Sequence, residues 1–140
     1  MSFFDSLHAS ASGLTAQRLR MDIIANNLAN ANSTRSKDGG AYRRQLAVFE
    51  SREAQQRDID GRTRGTPLGV RVARIIEDES PLRLVHDPDH PDANADGYVA
   101  YPNVNTVQEM TDMISATRSY EANVTVINAV KGMAGKALEI

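Results

Sequence analysis

Asp92, Asn94, Asp96 and Gly97 follow the order D-x-N-x-D-G, the first half of a calcium loop, in which oxygens at alternate positions surround a hard cation. The second half does not follow. The twelfth position, where a bidentate Glu belongs, is Asn103, and Pro91 and Pro102 deny the loop its flanking helices. A turn-rich loop is the expected state. His86 and His90, with Asp87 and Asp89, have a spacing that on a helix would present two imidazoles to zinc. Pro88 stands between them, so a solvated acidic loop is expected and no metal ligands are assigned.

Nucleophilic and phosphate chemistry find no better support. No Ser lies in a G-x-S-x-G turn, no G-x-x-x-x-G-K-[ST] loop occurs, and the chain has 0 Cys. No catalytic residue and no cofactor is expected. Arg43, Arg44, Arg62, Arg64, Arg71 and Arg74 could meet RNA or phosphate, but aromatics are few there, and Glu50, Glu53, Asp58 and Asp60 break the field. A solvated face or a subunit interface fits that stretch better. The amides Asn26, Asn27, Asn30 and Asn32 oppose helix propensity, so they mark either a frayed helix end or side chains that hydrogen-bond across a subunit boundary. The residues alone leave both open.

These groups must be carried by a 140-residue chain with 41% apolar residues but only 3 Phe, 4 Tyr and 0 Trp, a composition that argues against a dense enzyme-like core. A net charge of -2 argues against general nucleic-acid binding and offers no basic face to a membrane. Eleven basic residues against eight acids leave the stretch from Arg35 to Arg83 locally +3. The N-terminus lacks a basic start followed by an apolar run, and no apolar stretch is long enough to span a bilayer. A soluble, unprocessed chain is expected, leaving the cytoplasm only by a route that needs no such signal.

Leu7, Leu14, Met21 and Leu28 recur every seven residues, with Ala11, Arg18, Ala25 and Asn32 between them. This predicts a helix over 5–31, about 40 Å long, capped at Ser2 or Asp5. Met110, Met113, Thr117, Tyr120, Val124, Ile127, Lys131, Ala134 and Leu138 predict a second helix, which starts near Asn105 with a capping pair from Asn105 and Gln108 or from Thr106 and Glu109. Gly132 and Gly135 weaken it by about 1 kcal/mol each unless close packing needs them. Between the helices, strands are expected at Tyr42 to Phe49, Val70 to Ile76, Leu82 to His86 and Tyr98 to Tyr101, with Gly61, Gly65, Pro67 and Gly69 marking a linker or hairpin tip. The expected class is α+β: long terminal helices enclosing a small β-rich insert, divided as 1–34, 35–103 and 104–140.

The run from Asp22 through Ile23, Ile24, Ala25, Asn26, Asn27, Leu28, Ala29, Asn30, Ala31 and Asn32 to Ser33, preceded by Ser12, Gly13 and Leu14, resembles the N-terminal signature of the bacterial flagellar rod and hook family. Ser33 stands where that family usually has Thr, and keeps the hydroxyl. The runs Val107 to Ile114 and Arg118 to Asn123 resemble its second signature. Tyr42 to Arg44, Gly69 to Val72, His90 to Val99 and Tyr101 to Asn105 are similar to the proximal-rod members, while 51–66 is least distinctive.

The resemblance implies terminal helices that pair as a coiled coil and stack with those of neighbouring subunits. It also implies other rod proteins and copies of the chain itself as partners, in a helical assembly linking motor to hook. Export through the flagellum's own apparatus would account for the missing signal. The expected assembly interface is Leu7, Leu14, Met21, Asn26, Asn27, Leu28, Asn30, Asn32, Met110, Met113, Tyr120, Asn123, Val124 and Ile127. Seams so poor in large apolar residues predict ends that order on assembly, since backbone ordering costs about 1 to 2 kcal/mol per residue. A soluble adaptor or secretion chaperone holding a partner through its helices is the alternative, and an Arg-dependent RNA binder a third.

Overall fold

The computed structural model describes residues 3–37, 39–57 and 63–139. The order is α1 (Phe3–Ala29), β1 (Gln45–Arg57), β2 (Thr63–Glu77), β3 (Arg83–His86), β4 (Tyr98–Tyr101) and α2 (Thr106–Leu138). The class is α+β, with two antiparallel two-stranded sheets between the helices. Ser2, Asp58, Asp60, Gly61 and Arg62 lie outside the described residues.

Asp5 is not a cap but part of the first turn of α1, where a carboxylate complements the helix dipole. Asn105 does cap α2: its backbone is extended, and its Oδ1 accepts from the N–H groups of Val107 at 3.0 Å and Gln108 at 3.2 Å. The expected return bond does not form, because the Gln108 amide donates to Asp112 instead, at 3.3 Å. Glu109 turns into the interior.

The helices run antiparallel, with Asn27 meeting Glu109, Met21 meeting Thr117 and Gly13 meeting Asn123. The seven-residue spacing is correct and its phase is not. In α1 the buried positions include Ser10, Gly13, Ile24, Asn27 and Ala31, one residue before the expected rows, and Leu7, Leu14, Met21 and Leu28 are only half-buried. In α2 the row Met113, Tyr120, Ile127 and Ala134 is half-buried as expected. Its companion row is Glu109, Ala116, Asn123 and Val130, not Met110, Thr117, Val124 and Lys131. One residue is about 100° of helical rotation. The physical reason is that the seam is built from small and polar side chains, invisible to a search for large apolar ones. A Cβ on Gly13 would stand 3.0 Å from the Asn123 amide, so glycine sets the closeness of the crossing.

The hairpin of β1 and β2 pairs Gln45 with Glu77 and Arg57 with Thr63, longer than the expected strands. Gly65, Pro67 and Gly69 thus lie within β2 and do not form a linker. Each strand of a two-stranded sheet is an edge, so Pro67 can stand in it, opposite Glu53 and beside a bulge between Arg52 and Glu53. The smaller sheet pairs Arg83 with Tyr101 and His86 with Tyr98, within a residue of expectation.

The core is small: Ala16, Ile23, Ile24, Ala31, Ala41, Val99, Ala116 and Val130 are its buried apolar residues among those described. Ala16, Ile23 and Ile24 of α1 and Ala116 and Val130 of α2 lie on the helices, and α1 packs on both α2 and the hairpin, while Val99 belongs to β4 of the smaller sheet. Of the described elements, α2 packs on α1 alone, which leaves the rest of its circumference uncovered.

Candidate functional site

The densest polar arrangement sits where the last turns of α1, the entry to β1 and the first turns of α2 converge. Asn27 is 1% exposed, and its amide fills every hydrogen-bonding position. Its Oδ1 accepts from the Tyr42 hydroxyl at 2.8 Å and the Gln45 N–H at 2.9 Å; its Nδ2 donates to the Gln45 carbonyl at 2.9 Å and Glu109 Oε2 at 3.0 Å. By bonding both backbone groups of Gln45, the amide stands in for a neighbouring strand.

Glu109 is 0% exposed, a burial tolerable for a carboxylate only with close partners. Arg44 Nε supplies one at 2.6 Å and Asn27 the other. The same guanidinium reaches Asp112 at 3.4 Å and Asp78 at 3.7 Å, and Asp112 in turn reaches Arg20 at 3.5 Å. Asn103 joins the cluster from the other side: its Oδ1 accepts from the Arg44 N–H, and its Nδ2 donates to the Asp78 carbonyl, both at 2.9 Å. Burial, reinforced by the nearby charges of Glu109 and Glu77, raises the Tyr42 pKa above its ordinary value. Hydrogen bonds from the Ser80 backbone and side chain, then Arg44, hold Asp78 below the usual carboxylate range.

Two further ties fix the insert. Ser12 Oγ accepts from the Val70 N–H at 3.0 Å where β2 crosses α1. Gly69 beside it has a φ of +136°, and a Cβ there would meet Ser12 Oγ at 2.1 Å. The chain leaving α1 is tied to the acidic loop, as Thr34 Oγ1 donates to Asp92 at 2.8 Å and Arg35 pairs with the other carboxylate oxygen. The Thr34 bond first, then Arg35, lowers the Asp92 pKa.

This geometry accounts for the groups that suggested chemistry. Asp92 is held by Thr34 and Arg35, and Asn94 Oδ1 accepts from the N–H groups of Asp96 and Tyr98, closing the loop on itself. Among the described residues no group of three His, Cys, Asp or Glu is arranged around a common point for a metal. Arg43 donates to the carbonyls of Asp78 and Ser80, Arg44 serves Glu109, and Arg71 pairs with Glu50. Arg74 is exposed, and the Arg64 side chain lies outside what the structure describes.

The expected interface residues divide. Asn27 and Asn123 face the intramolecular seam, while Asn26 and Asn30 bond each other at the surface, with Asn26 also donating to Tyr42. Asn32 and Met110 are exposed; Leu7, Leu14, Met21, Leu28, Met113, Tyr120, Val124 and Ile127 are half-buried along the helix edges. Sequence reasoning missed Tyr42, Arg44, Gln45, Glu109 and Asp112. The available signal was the seven-residue row Glu109, Ala116, Asn123 and Val130, which places an acid in line with core positions.

An α-helical pair whose β insert is fixed by polar ties, with broad uncovered helix faces, defines a protein that works through its surfaces. Comparison gives the particular family. Residues 7–35 match the family model for the flagella basal body rod protein, and 95–140 match that for the flagellar basal body rod FlgEFG protein C-terminal region. The chain is 49% identical over 148 residues to the flagellar basal-body rod protein FlgC of Bacillus subtilis, covering 100% of this chain and 99% of that one. It is 50% identical over 149 residues to the FlgC of Borreliella burgdorferi, with 100% and 98% covered. Against the FlgC of Salmonella typhimurium the identity is 41% over 140 residues, with the same coverage. The chain belongs to the FlgC family of flagellar basal-body rod proteins, and is a structural component of the basal body.

Proposed function

We propose that the chain is a proximal-rod subunit that assembles axially through its terminal helices, with other rod proteins and copies of itself, to connect motor to hook and transmit torque. The carrying observation is the contrast between its two surfaces: a junction in which the buried amide is saturated and both oxygens of the buried carboxylate are bonded, and an α2 helix covered on one side only. Saturated ties suit a part that must not swivel under load. An uncovered helix suits one completed by neighbours. On this reading 1–34 and 104–140 form the axial layer, 35–103 sets the outer surface, and the distal turns of both helices order on assembly. The rod crosses the periplasm, and the chain reaches it through the flagellar export apparatus without a cleaved signal. Catalysis, a cofactor, nucleic acid and direct membrane insertion have no part in it; no helix among the described residues is long and apolar enough to cross a membrane.

The test is incorporation. A tagged chain expressed in a strain lacking its own copy should copurify with basal bodies and restore motility. Leu28→Asp, on the helix edge, should leave expression intact and abolish both. Normal motility with Leu28→Asp would contradict the helix-mediated part of the proposal, and a small defined complex in place of basal bodies would favour the adaptor.

A further inference from the structure

The uncovered side of α2 begins with Val107, Met110 and Ile114, which are 71%, 59% and 62% exposed at spacings that align them on one face. Such a run exceeds the single apolar residues scattered over an ordinary monomer surface. Midway along the same side lie Arg118 and Glu121, both exposed and engaged in no ion pair among the described residues. The uncovered side of α1 is its complement. There Ala11, Ala25 and Ala29 are small and exposed, and its central charges Arg18 and Asp22 are likewise exposed and unpaired among the described residues.

We propose that the outer face of α2 in one copy packs antiparallel on the outer face of α1 in the next, with Arg18 opposite Glu121 and Asp22 opposite Arg118. That register puts Ala25 under Ile114 and Ala29 under Met110, so large side chains of one face meet small ones of the other. A parallel setting with the same residues aligned places Arg18 against Arg118 and Asp22 against Glu121, which like charges oppose. The occupant of the bare helix is therefore a second copy of this chain, chosen by charge as well as by shape. Within one chain Asn27 meets Glu109. The proposed contact shifts that register by about three residues, or about 4.5 Å along the axis. A contact between two different faces with an axial step does not close on itself at two copies, and propagates. The proposal deepens the rod reading and rests on it.

The chain has 0 Cys, so introduced thiols report cleanly. Two differently tagged chains, one carrying Ala25→Cys and the other Ile114→Cys, are coexpressed in the motile host, and basal bodies are purified and oxidised. A disulfide joining the two tags is expected, and it should fall at least tenfold when Glu121→Arg is added. Restoration by adding Arg18→Glu to both chains would establish the pairing. None of these charges is in an ion pair among the described residues, and circular dichroism of each variant confirms that the helices persist. Absence of the chain from basal bodies overturns the rod reading itself. Incorporation without the mixed disulfide overturns only this contact. A disulfide between Ile114→Cys and Thr125→Cys chains in its place would show a closed α2 pair and also overturn it.

Discussion

At the scale of single residues, the fold depends on Glu109, a buried carboxylate whose two oxygens are held by Asn27 and Arg44. Glu109→Ala strands the Asn27 donor and Arg44 Nε together, and should destabilise the junction by about 3 kcal/mol, since Asp112 and Asp78 still pair with the rest of the guanidinium. A shift of the urea midpoint, followed by circular dichroism, measures it, and Glu109→Gln, which keeps an acceptor, should lose less. Tyr42 provides a pH handle with a defined sign. Its pKa is raised on folding, so its contribution is complete below the unfolded value near 10 and is lost as pH rises through the higher folded value. An alkaline unfolding limb should therefore be present in the native chain and diminished in Tyr42→Phe, when stability is followed from pH 8 upward. The sequence announced part of this arrangement. Four Asn near the end of a helix demanded an explanation, but the one that matters most, Asn27, bonds inward to Gln45 and Glu109. Which amide turns inward depends on partners 18 and 82 positions away, which no local pattern encodes.

At the scale of elements, both helices and all four strands were legible, and the errors share one cause. Rules keyed to large apolar side chains find the period of a helix but misplace its face when glycine, serine, asparagine and glutamate line the seam. Likewise, Gly65, Pro67 and Gly69 signal loops in most chains, yet here they lie in β2, where an edge position tolerates Pro67 and a close crossing requires Gly69. The requirement at Gly69 is twofold, since both the φ of +136° and the overlap with Ser12 oppose any side chain. Gly69→Ala should cost about 1 to 3 kcal/mol and loosen the hairpin from α1. Amide exchange should show this as lost protection at the Val70 N–H, which bonds Ser12. Ser12→Ala in the same chain removes the 2.1 Å overlap but also the acceptor of that N–H, so global stability should recover only in part and the Val70 protection not at all.

At the scale of the whole molecule, the two glycines of α2 separate the chain's own needs from those of the assembly. Among the described residues nothing lies within 4 Å of a Cβ built on either Gly132 or Gly135, so no intramolecular contact described there explains them. In a free chain each should be replaceable by alanine with a gain of about 0.5 to 1 kcal/mol in helix stability, because a helical glycine forfeits backbone entropy for no return. In the assembled register proposed above, Gly135 falls opposite Phe4 of the adjoining copy and Gly132 near His8. A side chain added there would push the helices apart. The paired substitution Gly132→Ala with Gly135→Ala should therefore raise the helicity and thermal midpoint of the purified chain, yet reduce its recovery in basal bodies several-fold. A rise in both would mean that no neighbour approaches this end of α2, and that the glycines have another origin. Opposite signs would locate the need for them outside the folded monomer, in a helix kept weak and bare so that its neighbours complete it.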